Sequence, residues 1–190
     1  MIQHIPNILT ALRVVAIPFF LWCSLSNMTL AAMFIFIFAS ITDYYDGYLA
    51  RKYQIITNFG KIMDPLADKL LVLSALIILN IAPILYISWI VTAVIALREI
   101  AVTYMRHYFQ QKDIIIPADI YGKIKTILQL TGIITSLVFY NAVKLFSPYF
   151  SFIDDIESGV ITGIQVYFWI VVLVTILSGV NYFYKGPKAK

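Results

Sequence analysis

Apolar segments about as long as a bilayer is thick run through most of this chain. A helix needs roughly 20 mostly apolar residues to cross the hydrocarbon core. Six segments meet that criterion: 8–26, 29–50, 62–82, 84–106, 122–143 and 160–183. Hydrophobic residues make up 61% of the chain and charged residues 13%, whereas soluble domains are about half apolar and a quarter charged. The sequence therefore predicts an all-α, polytopic integral membrane protein with six transmembrane helices.

The basic residues are distributed unevenly between the two ends of these spans. The connections after the second and fourth spans and the C-terminal tail carry ten of them, whereas the opposite face carries only Lys144. Because Lys and Arg are enriched in cytoplasmic loops, we expect both termini in the cytoplasm. The polar segment 144–159 is then expected to be an external loop, with or without a surface helix.

We expect residues 1–190 to form a single domain in the cytoplasmic membrane, because no repeat or second domain is visible. No cleavable signal peptide is expected, since the first span lacks a basic leader and carries Arg13 and Pro18. The lone Cys23 excludes an internal disulfide, and two histidines are too few for the usual zinc site. Anionic lipid headgroups account for the net charge of +4 better than nucleic acid does.

Four aspartates interrupt the apolar sequence within a short window. The run Asp43-Tyr-Tyr-Asp46-Gly47-Tyr-Leu-Ala50-Arg51 is followed, after eight residues, by Gly60-Lys-Ile-Met-Asp64-Pro-Leu-Ala-Asp68. Residues three or four apart share one face of a helix, so each pair of aspartates forms a stripe on its own span. Antiparallel packing of the second and third spans would bring the four carboxylates together at the cytoplasmic face.

Such a cluster predicts a divalent metal site. Neighbouring carboxylates cannot all stay ionised without cations, and hard oxygen ligands favour Mg²⁺, Mn²⁺ or Ca²⁺. Gly47, Ala50 and Gly60 leave room for a phosphate, and Arg51 supplies a cation for a phosphate oxygen. With one aspartate free to take a proton from an alcohol, these groups suit displacement at phosphorus. A polar packing seam or an ion pathway is the alternative interpretation.

The pattern D-x2-D-G-x2-A-R-x8-G-x3-D-x3-D, matched from Asp43 to Asp68, resembles the signature of the CDP-alcohol phosphatidyltransferase family. The resemblance implies transfer of a phosphatidyl or similar group from a CDP-linked donor to an alcohol, with release of CMP. It further implies a Mg²⁺ or Mn²⁺ cofactor and a homodimer. Carried over by position, the metal ligands are Asp43, Asp46, Asp64 and Asp68, the general base is Asp68, and the CDP-binding residues are Gly47, Ala50, Arg51 and Gly60.

Three further stretches resemble the branch of this family that uses CDP-diacylglycerol as donor and sn-glycerol 3-phosphate as acceptor. They are Ile5-Pro6-Asn7-Ile-Leu-Thr10-Ala-Leu-Arg13, Arg98-Glu99-Ile100, and Gly122-Lys123-Ile-Lys125-Thr126. An acceptor that is a phosphate dianion needs cationic groups. The candidates on the cytoplasmic side are Arg98, Arg106, Lys123 and Lys125.

Several alternatives stay open at this point. Lys123 and Lys125 can also be read as basic anchors at the membrane surface. Asn7, Thr10 and Arg13 form a polar stripe on the first span, which either borders the nucleotide site or anchors the helix at the interface. The acceptor can instead be phosphatidylglycerol, serine or inositol. Outside the family, a cation transporter or a non-catalytic scaffold would also carry intramembrane carboxylates.

Overall fold

The structure is a computed structural model that describes residues 5–53, 58–82, 87–112, 120–150 and 152–185. Within the helices, it leaves out the side chains at positions 5–6, 44, 46, 48–53, 58–62, 110, 152–155 and 185. The described residues form six α-helices and no strand, which confirms the all-α prediction. The helices are α1 (Ile5–Leu25), α2 (Thr29–Tyr53), α3 (Asn58–Ile81), α4 (Trp89–Gln110), α5 (Ile120–Phe146) and α6 (Phe152–Lys185).

Three regions of these helices are long and apolar enough to cross a membrane: Asn7–Leu25, Ile120–Phe146 and Ile156–Tyr184. Among the described residues, α2 contributes the apolar stretch Thr29–Asp43. Charged residues lower the hydropathy of α3 and α4. Helix number therefore agrees with the sequence prediction, and apolar length supports membrane crossing for α1, α5 and α6.

The connection between α5 and α6 is shorter than expected. The segment 144–159 was predicted to be an external loop, yet α5 continues to Phe146 and α6 begins at Phe152. The acidic residues Asp154 and Asp155 consequently lie in the first turn of α6.

Large apolar side chains fill the space between the helices. Phe20 of α1 and Phe36 of α2 are fully buried, with ring centroids 5.6 Å apart. α5 and α6 approach closely at Gly132, where an added Cβ would lie only 2.7 Å from Cε1 of Tyr167. A residue larger than glycine would require the Tyr167 ring to shift.

The α1–α2 turn is attached to the far end of α5 by polar contacts. Asn27 adopts a φ of 64°, in the left-handed region that asparagine tolerates. Lys144 donates from Nζ to the backbone oxygen and to Oδ1 of Asn27, both at 3.0 Å. Thr29 donates to Oδ1 of Asn141 at 2.9 Å. These contacts fix one end of the bundle, and the acidic motif lies towards the opposite ends of α2 and α3.

Candidate active site

The predicted acidic motif lies on two helices, with Asp43 and Asp46 on α2 and Asp64 and Asp68 on α3. Asp43 lies within electrostatic range of both Asp64 and Asp68. Three of the four predicted aspartates are therefore near one another. This is the arrangement expected from two helices that each carry an acidic stripe.

The polar stripe of α1 points directly at these aspartates. Arg13 is 1% exposed, and its Nη1 lies 2.7 Å from Oδ1 of Asp43. Thr10, which is fully buried, donates from Oγ1 to Oδ1 of Asp64. These two residues are thus packed against the carboxylates rather than exposed at a membrane interface. Asn7, one turn before them, is half-buried and also makes polar or electrostatic interactions.

Part of the predicted site lies outside the described side chains. This applies to Asp46, Ala50, Arg51 and Gly60, although all four positions fall within the helices α2 and α3. Gly47 is described and is half-buried in α2. The predicted contacts of these residues with a CDP group therefore stay predictions.

The donor atoms gathered here fit a hard divalent cation. Asp43, Asp64 and Asp68 offer only carboxylate oxygens, the ligands that Mg²⁺ and Mn²⁺ prefer. Among the residues that the structure describes, no three Asp, Glu, His or Cys side chains converge as a ready metal-binding group. The fourth carboxylate, Asp46, falls outside that comparison, so the metal site stays a prediction that the chemistry of the donor set supports.

A second charged cluster forms where α4, α5 and α6 meet. Lys125 of α5 is 4% exposed and forms an ion pair with Oε1 of Glu99 on α4. Arg98 also approaches that oxygen, at 3.3 Å, and donates from Nη2 to Oγ of Ser178 on α6 at 2.7 Å. One carboxylate therefore holds two cations, and a serine of a third helix fixes the arginine.

The two clusters meet at a small cavity beside Asp68. Its volume is about 40 Å³. Lys69, next to Asp68 in the chain, donates to Thr103 and lies within electrostatic range of Glu99. The wall of the cavity is formed by Asp68, Lys69, Val72, Leu73, Glu99, Lys125, Thr126 and Gln129. The predicted base and the basic cluster thus share one polar cavity between α3, α4 and α5.

The four residues predicted to bind the acceptor phosphate do not all lie together. Arg98 and Lys125 are joined through Glu99. Lys123 is exposed, and it does not line the cavity because residues two apart point to opposite sides of a helix. Arg106 is also exposed and lies over the ring of Tyr182, 5.9 Å from its centroid. Arg98 and Lys125 are thus the two predicted cations that share Glu99, and of these two Lys125 lines the cavity beside Asp68.

Sequence reasoning missed several residues that complete the site. Lys69 was not predicted because the acidic motif ends at Asp68 and does not include it. Ser178 lies 80 residues from Arg98, so no local pattern indicated it. Gln129 carries a signal that sequence reasoning could have used, because it lies four residues after Lys125 and so on the same helical face.

A family comparison agrees with the class of enzyme that this site suggests. A model of the CDP-alcohol phosphatidyltransferase family matches residues 3–178. The chain belongs to the CDP-alcohol phosphatidyltransferase family. The resemblance carried by the acidic motif is thereby confirmed.

Individual proteins of known name are also similar to this chain over most of its length. The chain is 36% identical to the CDP-diacylglycerol–glycerol-3-phosphate 3-phosphatidyltransferase of Bacillus subtilis, covering 98% of this chain and 96% of that protein. It is 33% identical to the protein of the same name from Rickettsia bellii, covering 95% and 94%. A probable phosphatidylglycerophosphate synthase of Mycobacterium tuberculosis is 42% identical over 70% of this chain and 65% of its own length.

Proposed function

We propose that this chain transfers the phosphatidyl group of CDP-diacylglycerol to sn-glycerol 3-phosphate, giving phosphatidylglycerophosphate and CMP. The observation that carries the proposal is the cavity in which Asp68 lies beside the Glu99–Lys125 pair. A base and a fixed cation on facing helices can receive the two ends of a phosphorylated alcohol. The names of the relatives support the same donor and acceptor.

The reaction needs one proton transfer and one displacement. Asp68 accepts the proton of the acceptor's 1-hydroxyl, and the resulting oxygen forms a bond to the β-phosphorus of CDP-diacylglycerol. The bond from that phosphorus to the bridging oxygen breaks, and CMP leaves with the oxygen. Asp68 keeps the proton until solvent removes it.

The acidic half of the site would hold Mg²⁺ or Mn²⁺ through Asp43, Asp46, Asp64 and Asp68. A divalent cation there neutralises the diphosphate and stabilises the charge that develops on the leaving group. Arg13 keeps Asp43 in place through the 2.7 Å ion pair. Thr10 does the same for Asp64 through its hydrogen bond. Gly47, Ala50, Arg51 and Gly60 are proposed to bind the CDP group beside these carboxylates.

The basic half would bind the acceptor phosphate. Three cations, Lys69, Arg98 and Lys125, lie around two carboxylates, Glu99 and Asp68, so positive charge is left over for an anion. A guanidinium and an ammonium both form strong, charge-assisted bonds with phosphate oxygens. Inositol is uncharged, and serine carries only one carboxylate next to its own ammonium group, so a phosphate monoester, which is close to a dianion, suits this positive charge best.

The membrane arrangement completes the proposal. The three long apolar regions place the chain in a bilayer, and we propose that α2, α3 and α4 also cross it around the polar site. The basic asymmetry then favours a single-domain enzyme of the cytoplasmic membrane with both termini and the site facing the cytoplasm. The acyl chains of the donor would remain among membrane lipids. A homodimer is proposed on family resemblance alone.

Release of CMP from CDP-diacylglycerol by the purified chain tests this function. Glycerol 3-phosphate, phosphatidylglycerol, serine and inositol are offered separately, with and without Mg²⁺ or Mn²⁺. We expect turnover only with glycerol 3-phosphate and only with metal. Turnover with a different alcohol would reassign the acceptor. Metal flux into proteoliposomes without CMP release would instead identify a transporter.

A further inference from the structure

Gln129 is a buried amide of α5 that lies one helical turn beyond Lys125. Its side chain is 2% exposed, and its Nε2 makes no hydrogen bond in the described structure. Burying a donor without a partner is unfavourable, so most such groups in proteins are paired. The unpaired amide therefore points to a partner that arrives with a bound molecule.

The cavity beside Gln129 indicates what kind of group that partner is. Gln129 lines the same 40 Å³ cavity as Asp68 and Lys125. A space of roughly 10–15 Å³ accommodates one water, so this cavity has room for a small hydroxyl-bearing fragment but not for a whole glycerol phosphate. The phosphate must lie towards the cations Lys125 and Arg98, with the glycerol hydroxyls reaching inward.

We propose that Nε2 of Gln129 donates a hydrogen bond to the 2-hydroxyl of the acceptor, a role that rests on the function proposed above. Three acceptor groups then meet three protein groups. The phosphate meets Lys125 and Arg98, the 1-hydroxyl meets Asp68, and the 2-hydroxyl between them meets Gln129. Gln129 is a substrate-binding residue that selects glycerol 3-phosphate over acceptors lacking the middle hydroxyl.

The other two acceptor groups suit Gln129 less well. The cations of the basic cluster bind a phosphate more strongly than a neutral amide does, because charged hydrogen bonds are roughly twice as strong. A donor on the 1-hydroxyl oxygen would occupy lone pairs that must attack phosphorus. The 2-hydroxyl stays intact through the reaction, so a permanent hydrogen bond there orients the acceptor without hindering attack.

The test compares two acceptors with two forms of the enzyme. The acceptors are sn-glycerol 3-phosphate and 3-hydroxypropyl phosphate, which lacks only the 2-hydroxyl. The unaltered chain should use the second acceptor with a kcat/KM about tenfold lower, the loss expected for one buried hydrogen bond. Gln129→Met keeps the side-chain length and removes the amide, so it should lower kcat/KM for glycerol 3-phosphate and use both acceptors equally within about twofold.

Ser136→Ala is the matched control. Ser136 lies two turns further along α5, is fully buried and also has an unpaired polar atom, yet it does not line the cavity. This variant should keep the full preference for glycerol 3-phosphate. If Gln129→Met does not accumulate in the membrane, Gln129→Leu replaces it in the same comparison.

The possible outcomes separate this role from a structural one and from the proposed function itself. If Gln129→Met slows both acceptors by the same factor, the preference survives and the assignment is wrong. It is equally wrong if the unaltered chain uses both acceptors equally well. If the unaltered chain releases no CMP with glycerol 3-phosphate, the proposed function fails, and the role of Gln129 fails with it.

Discussion

The site has an acidic half on α1, α2 and α3 and a basic half on α4, α5 and α6, to which α3 adds Lys69. Each half also contains a group of opposite charge. In the acidic half Arg13 is buried beside Asp43. In the basic half Glu99 lies between Arg98 and Lys125. Like charges confined in a low-dielectric space repel one another strongly. One counter-charge in each half lowers that repulsion and sets the positions of the remaining groups.

The two halves differ in how the chain assembles them. The acidic residues lie on adjacent helices within one short motif, from Asp43 to Asp68. In the basic half, Glu99 and Lys125 are separated by 26 positions, about the length of the acidic motif, whereas Arg98 and Ser178 are separated by 80. The comparison also predicts different consequences of substitution. Changes in the acidic half should slow the reaction with every acceptor, whereas changes in the basic half should mainly weaken acceptor binding.

The largest expected effect belongs to the acidic half. Asp68→Asn removes the proposed proton acceptor while keeping the size of the side chain. General-base catalysis contributes about 10²- to 10⁴-fold, so kcat should fall by that factor. The measurement is CMP release at saturating glycerol 3-phosphate.

A matched control for this change is Glu157→Gln, the same carboxylate-to-amide exchange in the N-terminal part of α6, outside both halves of the site. It should turn over at the rate of the unaltered chain. If Asp68→Asn keeps near-normal turnover, Asp68 is not the base.

The second prediction compares two lysines of the basic half. Lys125 is buried against Glu99, whereas Lys123 is exposed. Hydrogen bonds to charged groups contribute about 1.5–3 kcal/mol, so Lys125→Met should raise KM for glycerol 3-phosphate about ten- to a hundredfold. Lys123→Met, the same exchange two residues earlier, should leave that KM nearly unchanged.

Initial rates at varied acceptor and fixed CDP-diacylglycerol give both constants. KM for the donor should stay the same in both variants, because neither lysine belongs to the acidic half. Equal effects of the two substitutions would show that the lysines act only as general positive charge at the membrane surface. If the KM for CDP-diacylglycerol rises along with the KM for glycerol 3-phosphate, the two halves do not bind donor and acceptor separately.

Sequence predicted the acidic half better than the basic half, for a physical reason. Asp64 and Asp68 are four residues apart, so helical periodicity alone places them on one face of α3. The ion pair between Glu99 and Lys125 depends on how α4 packs against α5, which no local pattern specifies. Sequence therefore identified both Lys123 and Lys125 as candidates, and the structure was needed to show that Lys125 is buried and Lys123 exposed.

The fold shows the same division between local and long-range information. Six helices follow from six apolar segments, because each helix satisfies its own backbone hydrogen bonds. The loop predicted for 144–159 is shorter than expected, because α5 continues to Phe146 and α6 begins at Phe152. The close approach at Gly132 likewise depends on Tyr167 of the next helix, and nothing near Gly132 in the sequence indicates it.

The smallest expected effect comes from the outermost support of the basic half. Ser178 accepts the 2.7 Å hydrogen bond from Nη2 of Arg98, while the other contact of that arginine, with Glu99, is longer at 3.3 Å. Ser178→Ala should therefore loosen Arg98 without removing it, and raise KM for glycerol 3-phosphate about three- to tenfold, the loss of one hydrogen bond. Since Asp68 is untouched, kcat should stay constant.

Thr162→Ala, the control, removes a hydroxyl that bonds only within α6 and should change neither constant. A fall in kcat for Ser178→Ala would mean that Arg98 acts on the reacting phosphate, and the two halves would then form one catalytic unit.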